Sequence, residues 1–62
     1  MHTQDVFKTI AAAISDGNPY AIADLRIAND KTVQPGWQRD YIDEGLAAIQ
    51  DAITVARYQG AA

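Results

Sequence analysis

Apolar residues recur at helical spacing along several stretches of this 62-residue chain. In the first stretch they run from Val6 to Ile14 at intervals of one and three residues, and polar residues fill the other side, which predicts an amphipathic helix. Thr3 is a suitable N-cap for this helix. Gly17, in "SDGNP", suits the left-handed position that ends many helices. The first predicted helix therefore occupies most of the first 16 residues.

Residues 19–34 are compatible with two structures. Asn18 and Pro19 suit the N-cap and the first position of a helix, and the alanines on either side of Leu25 favour helix as well. The alternative is a short hairpin across "LRIANDKTVQ", with its turn at "ND". The alternation typical of strands is broken in this segment, so a helix is the preferred interpretation and the hairpin remains open.

The longest predicted helix lies in the last third of the chain. Asp40 can act as its N-cap, and Arg57 stands in its last turn, where a cation suits the helix dipole. The helix can begin as early as Trp37, and the residues after Tyr58 are expected to fray. We therefore predict an all-α single domain over residues 1–62, either a helical hairpin or a three-helix bundle, with a long C-terminal helix.

This last helix carries two apolar stripes, whereas a surface helix needs only one. The first stripe is expected to cover the first helix, and it consists of Ile42, Leu46, Ile49, Ile53 and Ala56. Its counterpart on the first helix is expected to consist of Val6, Phe7, Ile10 and Ile14. The second stripe consists of Tyr41, Gly45, Ala48, Ala52 and Val55. A glycine inside an exposed helix costs ~1 kcal/mol relative to alanine, so Gly45 indicates close approach of another helix. That helix is either the middle segment or part of a second chain.

The size of the chain favours association. A domain of this length buries only ~60% of the surface of its unfolded chain. With no cysteine and one histidine, His2, the chain has neither disulfides nor a structural zinc site to add stability. A self-complementary contact about a two-fold axis would supply that stability. We therefore predict a homodimer whose interface contains Ile42, Gly45, Leu46, Ala48, Ile49, Ala52 and Ile53.

Charge and composition narrow the partner classes. The net charge is −3 and the five basic residues are dispersed, which argues against direct nucleic-acid binding because phosphates require clustered lysine and arginine. The sequence contains no apolar run of transmembrane length and no signal-peptide pattern. Together with the lack of cysteine, these features lead us to expect a cytoplasmic protein that does not bind membranes.

Residues that could carry catalysis or bind a cofactor are few. Ser15 is the single serine, and Asp40, Asp43 and Glu44 are placed where first-turn acids usually stabilise a helix terminus. The "DGN" at Asp16 lacks the further ligands of a calcium loop, and no glycine-rich phosphate loop is present. We therefore expect no enzymatic activity, no cofactor and no metal site.

The segment "PGWQRDY", residues 35–41, combines tryptophan, arginine and tyrosine, the residue types that dominate protein-binding hot spots. Trp37, Arg39 and Tyr41 are the predicted partner-binding residues. The alternative for Trp37 is that it closes one end of the small core. Tyr20 and Tyr58 are expected at the edge of the core.

The run "WQRDYIDEGLAAIQDAITVARYQGAA" resembles the end of the small phage-encoded quorum-sensing anti-activators, in which an aromatic residue and Arg-Asp precede a long helix rich in alanine and leucine. "DVFKTIAAAISDG" would correspond to their first helix, whereas "NPYAIADLRIANDKTVQPG" has no counterpart. The resemblance implies an all-helical homodimer that inhibits host proteins by occupying their functional surfaces, notably the DNA-binding face of a transcriptional activator.

The preferred functional hypothesis is a small acidic phage-type protein that inhibits a host protein in the host cytoplasm, with a basic surface on that host protein as the expected point of contact. One alternative is a DNA-binding transcriptional regulator that uses "NPYAIADLRIAND" as a recognition helix, with Arg26 and Lys31 as its basic residues. Another is a structural or assembly subunit of a virion, in which the apolar stripes contact further copies of the chain.

Overall fold

The computed structural model describes residues 3–60, and within this range the chain forms three α-helices and no strand. Helix α1 spans Thr3–Asp16, α2 spans Pro19–Lys31 and α3 spans Gly36–Gly60. The all-α prediction and the long C-terminal helix are confirmed. The middle segment is a helix, so the β-hairpin alternative is wrong. His2 lies outside the described residues.

The turn between α1 and α2 follows from three consecutive residues. Gly17 has a φ of 64°, a conformation that costs glycine little because it has no Cβ. The Asn18 amide donates to the Ala13 carbonyl at 2.9 Å and the Gly17 amide donates to the Ile14 carbonyl at 3.3 Å, the two bonds of a Schellman motif. Asn18 then caps α2 by accepting from the Tyr20 amide at 3.1 Å, with Pro19 at the first helical position. The chain therefore reverses direction within two residues.

Helix α3 begins earlier and ends later than its sequence pattern predicts. The Pro35 carbonyl accepts from the amides of Gln38 and Arg39, both at 3.1 Å, so the first turn forms before Asp40 is reached. Asp40 is therefore an exposed residue inside the helix, and its predicted role as N-cap is wrong. The helix also continues past Tyr58 to Gly60.

The core is small and is arranged around α2, which packs against both other helices, whereas α1 and α3 approach each other much less. Its buried apolar residues are Ala13, Ile22, Leu25, Leu46 and Ile53. The Cα atoms extend over 41 × 20 × 12 Å, so the molecule is elongated. One face of the molecule is left open between α1 and α3.

This arrangement changes the expected packing of α1. Val6 and Ile10 pack against the edge of the core, as predicted. Phe7 and Ile14 remain 67% and 58% exposed, so their predicted coverage by α3 is wrong. The reason is that α2 separates α1 from α3, and the stripe on α3 reaches only part of the apolar face of α1.

Candidate protein-binding surface

The aromatic side chains lie on the surface of this protein. All five, namely Phe7, Tyr20, Trp37, Tyr41 and Tyr58, are between 67% and 78% exposed. Aromatic rings bury large apolar areas and usually dominate cores and interfaces. Here the core is built from alanine, isoleucine and leucine, and the aromatic side chains remain on the surface.

The second stripe of α3 is uncovered, because Tyr41, Gly45, Ala48, Ala52 and Val55 are all exposed. Trp37, also exposed, extends this stripe by one turn toward the start of the helix, and we call the six residues together the outer stripe. A Cβ atom added to Gly45 would have no other atom within 4 Å. The middle helix therefore does not cover this stripe, and that alternative is wrong. Close approach of a second backbone to Gly45 is sterically open.

A row of carboxylates borders the outer stripe. Successive residues of a helix advance by about 100° around its axis, so residues on either side of the outer stripe form two flanks. One flank faces α1 and the other faces away from it. The flank that faces away from α1 carries Asp40, Glu44 and Asp51, all exposed, and we call this row the acidic edge. The basic residues of α3, Arg39 and Arg57, lie instead on the side of the helix that carries Leu46 and Ile53. Among residues 3–60 no carboxylate of the acidic edge has an ion-pair partner within 4 Å, although Asp40 lines a surface depression together with Arg26 and Arg39 and the charge of Asp51 helps to raise the pKa of Arg26.

The open face between α1 and α3 contains an apolar depression that we call the groove. At one end it encloses about 760 Å³, with Ile14 on one side and Ile49 and Ala56 on the other. A separate, smaller depression of about 310 Å³ is lined by Val6 and Ile42 toward the other end of the same face. Among the residues lining the larger depression the two charged ones, Asp16 and Arg57, have opposite signs. The groove is thus apolar and close to neutral.

The predicted dimer residues divide into two groups. Leu46 and Ile53 are 6% and 4% exposed and belong to the intramolecular core, so their assignment to a dimer interface is wrong. Their side chains point toward α2, which sequence periodicity alone could not locate. The other predicted interface residues are at least partly accessible, and they are Ile42, Gly45, Ala48, Ile49 and Ala52.

The predicted partner-binding residues also divide. Trp37 and Tyr41 are 73% and 75% exposed, so Trp37 does not close the core. Arg39 is half-buried, and its Nη2 donates to the Thr32 carbonyl at 3.0 Å. Its own carbonyl accepts from Asn29 Nδ2 at 3.0 Å. Arg39 therefore helps to hold the junction of α2 and α3, and its predicted role in partner binding stays a prediction.

The sequence pattern also gave a wrong position for the two remaining tyrosines. Tyr20 and Tyr58 are 72% and 78% exposed, so their expected position at the core edge is wrong. Both line a shallow surface depression together with Arg57. They add apolar surface near the wider end of the groove.

An ion pair between α2 and α3 was not foreseen. Arg26 donates from Nε and Nη2 to the two carboxylate oxygens of Asp43, at 2.9 and 3.1 Å, and from Nη1 to Gln50 Oε1 at 2.9 Å. The hydrogen bonds from Arg26 lower the pKa of the Asp43 carboxyl, and the same contact raises the pKa of Arg26. The partners lie 17 residues apart, so no local pattern signals this pair. With its guanidinium engaged, Arg26 is poorly available for DNA.

Two further classes of site are not found in the part of the chain that the structure describes. Among residues 3–60, no three His, Cys, Asp or Glu residues lie close enough together to hold a metal ion. The described helices include none with the length and apolar character needed to cross a membrane. Comparison with protein-family models, curated proteins and solved structures returns no match to this chain.

Proposed function

We propose that this protein is a small acidic inhibitor, of the phage-encoded type, that binds a host protein and covers its functional surface. The observation that carries the proposal is the exposure of all five aromatic side chains. Aromatic residues are enriched among the few interface residues that contribute most of the binding free energy. A fold that leaves every aromatic ring on its surface is suited to recognition of another protein.

The total surface supports the same function. The accessible area of 4692 Å² exceeds by about 800 Å² the value of about 3,900 Å² expected for a compact monomer of 6.7 kDa. The radius of gyration of 12.1 Å likewise exceeds the value of about 10.6 Å expected for a compact chain of this length. An excess of this size is close to the ~800 Å² that each partner contributes to a standard protein interface.

The charge of the protein favours a host target with a basic face. The net charge is −3, and the acidic edge adjoins the exposed outer stripe. A DNA-binding face on a transcriptional activator is basic, and its complementary charge would speed association and favour this class of partner. Inhibition follows because the bound protein occupies the surface that the nucleic acid needs.

We also propose that two copies associate through the groove. Its apolar rim is formed by Val6 and Ile14 on α1 and by Ile42, Ile49 and Ala56 on α3. Since Asp16 and Arg57 have opposite signs, a second copy can approach this face without an excess of like charge. Light scattering on the purified protein tests this directly. A particle of twice the chain mass is expected, whereas a large ring or filament would support the virion-subunit alternative.

The inhibitor proposal is tested by capture followed by inhibition. The tagged chain is incubated with host lysate, the captured protein is identified by mass spectrometry, and the activity of that protein is measured with and without the chain. We expect loss of the target's activity with the natural chain and retention with Trp37→Ala combined with Tyr41→Ala. Lys31→Ala, an exposed change away from the outer stripe, serves as the matched control and should inhibit normally.

Two results would count against the proposal. One is a captured protein whose activity is unaffected by saturating amounts of the chain. The other is full inhibition by the Trp37→Ala, Tyr41→Ala variant. A gel shift with salt titration separates the DNA-binding alternative, because direct binding of the chain to DNA would weaken steeply as salt rises.

A further inference from the structure

Resting on the function proposed above, we propose that the outer stripe and its acidic edge form a docking track for one amphipathic α-helix of the partner, with basic residues along one edge of that helix. The track runs along α3 from Trp37 to Val55, about 27 Å at 1.5 Å per residue. This length matches a partner helix of about 18 residues. The occupant is thus specified by shape and by charge.

Shape favours a helix as the occupant. The outer stripe follows steps of four, four, three, four and three residues, the spacing of a seam between nearly parallel or antiparallel helices. Its centre consists of Gly45, Ala48 and Ala52, whose small side chains allow a second helix axis to come close. Trp37 and Tyr41 stand at one end, where large rings can enclose the end of the docked helix.

Charge favours a basic edge on that helix. Asp40, Glu44 and Asp51 line one flank of the stripe, and none of them has an ion-pair partner within 4 Å among residues 3–60. Asp43, by contrast, is already engaged by Arg26. Lysine or arginine residues along the facing edge of the partner would pair with Glu44 and, in competition with the nearby Arg26, with Asp40 and Asp51. Nucleic acids and anionic membranes are repelled by this edge.

The same charges disfavour a second copy on this track. A two-fold axis between antiparallel α3 helices brings the same flank of each helix together, so Glu44 of one copy would lie within about one turn of Asp51 of the other. A parallel pair places the acidic edge against the flank that carries Ile42 and Ile49. Neither arrangement supplies a positive charge, because Arg39 and Arg57 lie on the side of Leu46 and Ile53.

The test uses three labelled peptides that lack tryptophan and share an apolar stripe. One has a lysine- and arginine-rich edge, one has a glutamate-rich edge, and one is a scramble of the first. Binding to the full chain is measured by fluorescence anisotropy. The emission of Trp37, the one tryptophan of the chain, reports whether the outer stripe is covered. We expect micromolar binding of the basic peptide alone, with a blue shift of Trp37 emission.

Two matched variants separate the acidic edge from net charge. Glu44→Gln with Asp51→Asn removes two charges from the edge, and Asp24→Asn with Asp30→Asn removes two exposed charges from α2. Since each exposed ion pair contributes about 1.4- to fivefold in affinity, the loss of two should weaken binding of the basic peptide about two- to thirtyfold. The α2 variant should change its affinity less than about twofold. Circular dichroism confirms that both variants are folded.

Several outcomes would overturn the docking track. The basic and glutamate-rich peptides could bind equally well, or no peptide could bind. The basic peptide could bind without changing the emission of Trp37, or the two charge variants could weaken its binding equally. A blue shift of Trp37 that grows with protein concentration alone would assign the stripe to a second copy. If a host target is inhibited but the peptides fail, the docking track fails and the inhibitor function stands. If the basic peptide binds but no host target is inhibited, the docking track stands and the inhibitor function fails.

Discussion

Replacing Gly45 by alanine tests directly whether the outer stripe of α3 is uncovered in the free protein. Gly45 lies in the middle of a 25-residue helix, where glycine is less favourable than alanine by ~0.8–1.0 kcal/mol. An added Cβ would meet no atom within 4 Å. The full gain in helix propensity should therefore appear as stability, and we expect Gly45→Ala to raise the free energy of unfolding by ~1 kcal/mol.

This gain is large relative to the total stability of the domain. A domain of this size has a stability on the order of 3–9 kcal/mol, so ~1 kcal/mol is a readily measured fraction. It corresponds to a rise in Tm of about 4–8 °C. The assay is thermal and urea unfolding followed by circular dichroism at two protein concentrations. With an m-value near ~1 kcal/mol/M for a small protein, the urea midpoint should rise by about 1 M while m stays constant.

Gly17→Ala is the matched control, because the same substitution is made in a different backbone conformation. The φ of Gly17 is 64°, a region that alanine adopts only with strain, so this variant should lose ~1 kcal/mol or more. Opposite signs for the two variants are the expected result. If Gly45→Ala lowers the Tm instead, another part of the protein or a second copy already covers Gly45, and the reasoning on the outer stripe is refuted.

Three further predictions follow from individual contacts. Asp43→Asn should lower the Tm at neutral pH and make the Tm fall less steeply in acid. Arg26 lowers the pKa of Asp43 in the folded state, so the stability that Asp43 contributes is present above the unfolded pKa of ~3.9 and is lost as pH falls through the folded value. Tm measured from pH ~6 to ~2 checks this, and an unchanged slope would contradict it. Ile53→Ala should lower the free energy of unfolding by about 2–4 kcal/mol, because it opens a cavity at a 4% exposed site. Val55→Ala, at a 55% exposed site, should lower it by less than ~1 kcal/mol. Urea unfolding distinguishes the two variants, and similar losses of stability would show that Val55 is covered. Trp37→Ala should leave the Tm within about 3 °C of the natural chain while abolishing target inhibition, and a large loss of Tm would place Trp37 in the core.

Local patterns were sufficient for α1, for α3 and for the turn that follows α1, whereas for α2 they favoured a helix without excluding a hairpin. The geometry at Gly17, Asn18 and Pro19 depends on properties of those residues themselves, namely tolerance of positive φ, a capping side chain and a ring with fixed φ. The start of α3 was less predictable. Asp40 has the chemistry of an N-cap, but the carbonyl of Pro35 accepts the first helical hydrogen bonds one turn earlier.

The exposed surface of α3 could be predicted in part from the sequence. Its spacing of apolar residues showed a second apolar face, and Trp37 and Tyr41 were selected because tryptophan and tyrosine are common in binding sites. Arg39 has the same chemistry, yet it is tied to Thr32 and Asn29 at the junction of two helices. A residue type indicates what a side chain can bind, whereas the neighbours brought by the fold decide whether it is available.

The sequence by itself determined that the first and last segments are helical, that α3 is the longest helix, and that α3 has more apolar surface than one contact needs, because these properties depend on residue spacing within single helices. Only the tertiary structure decided that α2 lies between α1 and α3. That placement buries Leu46 and Ile53, leaves Phe7 and Ile14 exposed, and brings Arg26 to Asp43 across 17 residues. Helical periodicity specifies the direction of a side chain around its own axis, but the identity of the helix it faces depends on how all three pack together.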